Sequence, residues 1–246
     1  MPPLDLQTLV GTAMTAPLPE ALRDQCSCFV ELDARGMAQN EVLLAAREVR
    51  AANGPGVCVD AKMVEVVRRA MQDATPVMIV RLNEAQGDDI AAIAAEAGAC
   101  AGDGAGAVEF LVPLSAVEDG DVGLVGDLIE ACRTTAGPGV ALRILTPGGS
   151  VDPSMATAIA RTAIMAGVDF LGVTMPSASG PLDLDLCAVL LSVAMEAEGK
   201  VGFKLSQGKS ALAPLASLAQ AILGPEWLRP ANIRVEERHF VTRFQQ

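Results

Sequence analysis

The sequence predicts an α/β fold of the (β/α)8 TIM-barrel type, a single domain within 246 residues. Eight short apolar runs of strand length alternate with longer segments of helical period. Their starts recur roughly every 20 to 33 residues, the size of one strand–helix unit. The runs are unbroken rather than alternating, as parallel strands covered on both faces must be. Eight such units fit a closed barrel of about 250 residues. A doubly wound open sheet is the competing arrangement, but no GxGxxG follows the first run and no GxxxxGK[ST] occurs anywhere.

In chain order the runs are CFVEL from Cys28, GVCVD from Gly56, PVMIVRL from Pro76 and AVEFLVP from Ala107. VALRILT from Val140, DFLGVTM from Asp169, VGFKLS from Val201 and NIRVEE from Asn232 follow. Amphipathic stretches such as EVLLAAREVRAA, KMVEVVRRAMQDA and DVGLVGDLIEACRTTA lie between them. In the second of these Met63, Val66, Val67 and Ala70 share one face, and Lys62, Glu65, Arg68 and Arg69 the other. Asn53-Gly54, Gly137-Pro138 and Gly167 follow helical segments, where a left-handed closing residue is wanted. Residues 1–25 are expected to form an N-terminal extension with a helix over one end of the barrel, and residues 26–246 the barrel domain.

The net charge of −12 argues against nucleic acid, whose phosphates need Lys and Arg, and against a polybasic membrane contact. No signal peptide or uncharged apolar run of membrane-spanning length is present in the sequence, so a cytoplasmic location is expected. The six cysteines are scattered and His239 is the sole histidine, so no zinc pattern forms; reduced, buried thiols are expected, with no metal and no cofactor. With no Tyr and one Trp, aliphatic residues must do the packing, and the ten methionines read as gap fillers.

Barrel chemistry sits at the C-terminal ends of the strands. Reading those ends gives Glu31, Asp33, Asp60, Arg81, Asn83, Glu109, Arg143, Thr174, Lys204, Glu236 and Glu237. Glu109, Arg143 and Lys204 stand out because each interrupts an apolar run, where a charge is costly unless paired. They form either a self-satisfying charge cluster or a site with a lysine nucleophile served by a carboxylate. TPGGS at 146–150 reads as a turn. SQGKS, which includes Gln207, Gly208, Lys209 and Ser210, is the better anion-binding candidate because its amides would open a helix.

At these residues the chain resembles deoxyribose-phosphate aldolase, a class I aldolase with a (β/α)8 barrel, from about residue 26 onward. VCVDAKMVEVVRRAM looks like the family's second strand and helix. QGDDIAAIAAEAGACAGDGAGAVEFLVPLSAV resembles the segment bearing the catalytic carboxylate. GVALRILTPGG, AGVDFLGVT and KVGFKLSQGK are similar to the fifth, sixth and seventh strands, and ILGPEWLRPANIRV leads into the last. The resemblance implies that Glu109 stands for the catalytic aspartate, Arg143 for the lysine of the fifth strand and Lys204 for the second active-site lysine. The Schiff-base lysine falls on Gly172, so the nucleophile is missing. The paired glycines of the phosphate site fall on Gln207-Gly208, and the later glycine-serine turn on EERH, where Arg238 is left to meet an anion.

Three functions follow. A carbon–carbon lyase acting on a small aldehyde or sugar phosphate would use Lys204, swinging into space opened at Gly172, with Glu109 moving protons. A barrel without aldol chemistry would bind a metabolite or a partner protein. An enolising enzyme would use Glu109 as base. The expected ligand is a small carbonyl or phosphorylated metabolite, and homo-oligomerisation is left open. Burial and Arg143 lower a lysine pKa while Glu109 raises it. Because a guanidinium fork suits a carboxylate, Glu109 is expected to pair with Arg143 and leave Lys204 perturbed toward neutrality.

Overall fold

Eight parallel strands close into one barrel, each paired with its neighbours in chain order and the last with the first. The structure is a computed structural model and describes residues 5–23, 26–82, 88–149, 151–174, 182–206 and 209–238. The strands are β1 Val30–Asp33, β2 Val57–Val59, β3 Met78–Leu82 and β4 Ala107–Leu111, then β5 Ala141–Pro147, β6 Phe170–Thr174, β7 Gly202–Ser206 and β8 Ile233–Glu237. Each of the eight apolar runs thus holds a strand, shifted by a residue or two at its ends. The start of the first run, Cys28 and Phe29, belongs instead to a 3-10 turn over Cys26–Phe29.

The helices are α1 Leu6–Ala13, α2 Glu20–Arg23, α3 Gln39–Ala51, α4 Val64–Met71 and α5 Ile90–Asp103, then α6 Leu114–Glu118, α7 Gly123–Ala136, α8 Pro153–Met165, α9 Leu184–Glu196 and α10 Leu212–Leu223. Their ends follow local chemistry. Asp89, Asp152 and Asp183 each accept amides of the first turn of α5, α8 and α9, and Pro153 opens α8 with its fixed φ. Gly104 ends α5 at φ 109°, a conformation a side chain would strain. The predicted N-terminal helix is α1, packed on α9 and α10 of the outer layer. No helix among the described residues is long and apolar enough to cross a membrane.

Alternation along each strand divides the protein into two unlike interiors. One set of strand side chains points out to the helices: Leu32, Val57, Val80, Phe110, Ile144, Val173, Phe203, Leu205 and Val235 are buried there among helix residues such as Val42, Ile93, Leu128, Ile159 and Leu215. Fully burying each aliphatic side chain contributes about 1.5–3 kcal/mol, so this shell holds the fold. The other set points into the barrel and has only a small apolar patch of Cys58, Ile79 and Ala107, with Ala141 against it. Phe170, Leu145 and Gly172 add to it, and most of the remaining interior side chains are charged.

Closure with tilted strands places inward side chains in layers drawn from alternate strands. The pairing register puts Gly56, Ala107, Phe170 and Arg234 in one layer near the N-terminal end, just above Ala141 and Gly202. Above them come Glu31, Ile79, Arg143 and Lys204, then Cys58, Glu109, Gly172 and Glu236. Asp33, Arg81, Leu145 and Ser206 lie nearest the C-terminal mouth.

Candidate active site

Lys204 sits at the middle of β7, with Phe203 and Leu205 turned out into the helix-facing core. Its ammonium therefore has to find partners inside the barrel, and it finds three carboxylates. Nζ lies 2.9 Å from Glu31 Oε2 and 2.9 Å from Glu236 Oε2, and it donates to Glu109 Oε1. Cys58 Sγ is 3.6 Å away. Lys204, Glu31 and Glu109 are each 0% exposed.

The carboxylates are themselves shared. Arg143 Nη1 donates to Glu31 Oε1 at 2.7 Å and Oε2 at 2.9 Å, and to Glu109 Oε1 at 3.3 Å. Arg81 lies over them from the next layer. Its Nη2 donates to Glu109 Oε2 at 3.0 Å, to Glu236 Oε2 at 2.8 Å and to Ser206 Oγ at 2.9 Å. Arg35, in the loop after β1, pairs with Asp33 at 2.7 Å and reaches Glu236 Oε1 at 3.0 Å. Below, Arg234 Nε approaches Glu31 Oε1 at 3.4 Å. One connected network thus joins five cations (Arg35, Arg81, Arg143, Lys204, Arg234) to four carboxylates (Glu31, Asp33, Glu109, Glu236).

Ionisation follows from this packing. Burial works against a charged Lys204, but the Cys58 sulfur and the carboxylates of Glu109, Glu236 and Glu31 outweigh it and hold the pKa well above the ordinary lysine value. Cys58 is kept a neutral thiol by burial, which pushes its own pKa well up, so the carboxylates do the holding. Burial likewise opposes ionisation of Glu109 and Glu236, but Lys204 and Arg81 overcome it; Glu109 is held far below the usual carboxylate range and Glu236 goes down to about 2. Glu31 is lowered by Arg143 and Lys204 against the same burial.

This corrects two expectations. Glu109 does not choose Arg143 over Lys204: it bonds both, and Arg81 as well. Lys204 is accordingly a fixed ammonium rather than a lysine perturbed toward neutrality. Nor is there open space at Gly172. A Cβ built there would lie 2.5 Å from Leu145 Cδ2 and 2.6 Å from the Lys204 carbonyl oxygen. Leu145 fills the position, and the backbone of β7 closes it.

The structure brings Glu109, Arg143, Gly172 and Lys204 together, but in the sealed interior beneath Arg81 and not at the mouth, where the sequence places them. Gln207, Gly208 and the side chain of Lys209 lie outside the described residues, as does His239. Ser210 and Arg238 are exposed beyond the ends of β7 and β8, apart from the buried network. Glu31, Arg81 and Glu236 count only as strand ends in the sequence, yet they are full members of the site; Cys58 and Arg234 carry no signal beyond strand position, and Arg35, in a loop, carries none. Glu31, Cys58 and Glu109 offer donor atoms within 4.8 Å of one another, a spacing a metal ion uses, but the ammonium of Lys204 already contacts all three residues.

Chemically the arrangement can hold fixed charges and orient a polar ligand that reaches Arg81 and Ser206 from the mouth. It offers no neutral amine, because the one lysine inside it is paired and sealed.

Comparison with known proteins gives this barrel its relatives. No protein-family model matches the chain. The deoxyribose-phosphate aldolase of Agrobacterium fabrum is 27% identical over 188 residues, which span 74% of this chain and 73% of that one. Among solved structures, the tetrameric deoxyribose phosphate aldolase of Aeropyrum pernix aligns with a TM-score of 0.68 at 12% identity, covering 95% of this chain and 94% of its own. The apo form of a proposed deoxyribose-phosphate aldolase from Toxoplasma gondii ME49 gives 0.75 at 17% identity, covering 94% and 93%. The structural matches establish the shared barrel, and in sequence the chain is similar to a curated deoxyribose-phosphate aldolase.

Proposed function

We propose that this chain is an aldolase-family protein that forms no Schiff base and binds a small carbonyl or phosphorylated metabolite at the C-terminal mouth without cleaving it. The observation that carries this reading is the state of Lys204: an ammonium in contact with Glu31, Glu109 and Glu236, and wholly buried. Imine formation needs a free amine pair and a path for the carbonyl carbon, and Lys204 has neither. Gly172, where the resemblance places the imine-forming lysine, has no side chain to substitute.

A second reading, a carbon–carbon lyase using Lys204, is favoured by the hydrogen bond between Lys204 and Glu109, the amine–carboxylate pair such a reaction would employ. Borohydride reduction in the presence of a panel of aldehydes and ketones, read by intact mass, separates the two. The expected result is no adduct that depends on Lys204, together with far slower cleavage of deoxyribose 5-phosphate in a coupled assay than an active aldolase shows. An adduct on the wild-type protein that disappears in Lys204→Met establishes the lyase reading instead.

A further inference from the structure

The charged network is unbalanced, and the imbalance has an address. Among the described residues its five cations exceed its four carboxylates, although the chain as a whole carries −12. Arg35, Arg81, Arg143 and Lys204 each have a carboxylate oxygen at 3.0 Å or closer. Arg234 has one contact, at 3.4 Å, to a Glu31 already engaged by Arg143 and Lys204. Its other bond is from Nη1 to the carbonyl of its neighbour Ile233. Burial pushes its pKa below the ordinary arginine value, and the charge of Arg143 adds to that.

Arg143 and Arg234 meet around one ring. Their guanidinium carbons stand 4.8 and 5.8 Å from the centre of Phe170. In both residues Nε is buried without a hydrogen-bond partner, and among the described residues no acceptor meets Nη2. Arg143 therefore presents an open Nε–Nη2 edge, and Arg234 one approached only at Nε, by Glu31 Oε1 at 3.4 Å; such a fork binds an oxyanion through two parallel bonds. Arg143 is itself only 4% exposed, so this is an unpartnered donor edge within the interior.

The edges belong to the N-terminal end of the barrel. Arg234 shares the lowest charged layer with Phe170, and the residues above it, Glu31, Lys204 and Glu109, are fully buried, so the exposed part of Arg234 faces away from the mouth. Val77, two residues before Ile79 and on the same side of its strand, is exposed at that end. The exposed parts of Arg234 and Val77 thus lie at the N-terminal end, below the fully buried Glu31, Lys204 and Glu109.

We infer that the N-terminal end of the barrel is an anion site, at which a small oxyanion of the phosphate or carboxylate class bridges the Nε–Nη2 edges of Arg143 and Arg234 beside Phe170. It lies at the opposite end from the mouth discussed under Proposed function and does not depend on that reading.

The test is a titration of the arginine Nε–H signals of the intact protein by 1H–15N NMR, with inorganic phosphate in one arm and acetate in another, at matched ionic strength. The Nε–H signals of Arg143 and Arg234 are expected to shift saturably with at least one of the two, and the tighter arm identifies the class. Arg234→Met is expected to weaken that binding by about tenfold or more, as loss of a bidentate charged partner should. Arg234→Lys, which keeps the charge and loses the fork, is expected to weaken it several-fold and serves if the Met variant does not fold. Absence of saturable shifts at both arginines in both arms overturns the inference, as does unchanged affinity in the folded Arg234 variant.

Discussion

Gly172 pairs with Lys204 across β6 and β7, and the carbonyl oxygen of Lys204 stands 2.6 Å from where any side chain at 172 must begin. The absence of a side chain there is therefore built into the strand spacing, not only into the sequence. Gly172→Ala is expected to destabilise the fold by about 1–3 kcal/mol, the usual cost of overpacking a close-packed interior. Leu145→Ala in the same chain should recover only part of this, because it clears the Leu145 Cδ2 contact and leaves the backbone one. Urea unfolding of the single and double variants measures both effects, and full recovery in the double variant would show that the backbone can yield. Gly172→Lys alone is accordingly expected not to restore retro-aldol activity, which a coupled assay with deoxyribose 5-phosphate checks.

Removing the central cation should cost more. Lys204→Met leaves Glu31, Glu109 and Glu236 without their shared partner, and breaking a buried pair from one side costs about 3–5 kcal/mol. Arg35, Arg81 and Arg143 still hold these carboxylates, so their folded pKa values move up toward the unfolded ones. The variant should therefore lose less stability than the wild type as pH falls from 7 toward about 4. Denaturant midpoints at the two pH values check the sign.

In the wild type the glutamates are depressed and the lysine is raised, which fixes a stability plateau. Glu31, Glu109 and Glu236 contribute stability that is fully present above the ordinary value of 4.5 and lost as pH falls toward their folded values, about 2 for Glu236. Lys204 contributes stability that is fully present below 10.5 and lost only as pH rises through its higher folded value. Thermal melting between these limits should be nearly flat, with the midpoint falling on the acid side below about pH 4.5.

A sealed ammonium should also resist reagents. Reductive methylation of the native protein is expected to label Lys62 and Lys200, which are exposed, and to spare Lys204 until the chain is unfolded. Peptide mass mapping before and after denaturation reads the difference. Native labelling of Lys204 at a rate close to that of Lys62 would show that the barrel interior opens readily.

The strands were legible because burial on both faces leaves an unbroken apolar run, and all eight runs hold strands. Glu109, Arg143 and Lys204 were legible for the complementary reason, as charges inside those runs. Their partners were not. Whether Glu109 meets Arg143 or Lys204 depends on closure, which stacks side chains from strands far apart in sequence, and no local pattern carries that register. Arg234 lies in NIRVEE, whose alternation reads like a half-exposed strand, so its charge stands out less than that of Lys204 in VGFKLS. Gly172 reads as a vacancy in one strand, and only the neighbouring strand reveals that Leu145 has filled it.

The path of the chain through the charged network also sets when the network can form. Glu31 is on β1, near the start, and Glu236 on β8, near the end, and Lys204 joins both from β7. The contact with Glu236 joins neighbouring strands, whereas that with Glu31 spans from β7 to β1 and needs the ring closed between β1 and β8. Interactions made after the folding barrier act on the escape rate alone. The long-range contact makes the network a latch on the finished barrel: Lys204→Met is expected to raise the unfolding rate more than it lowers the folding rate, which the two limbs of a denaturant chevron measure.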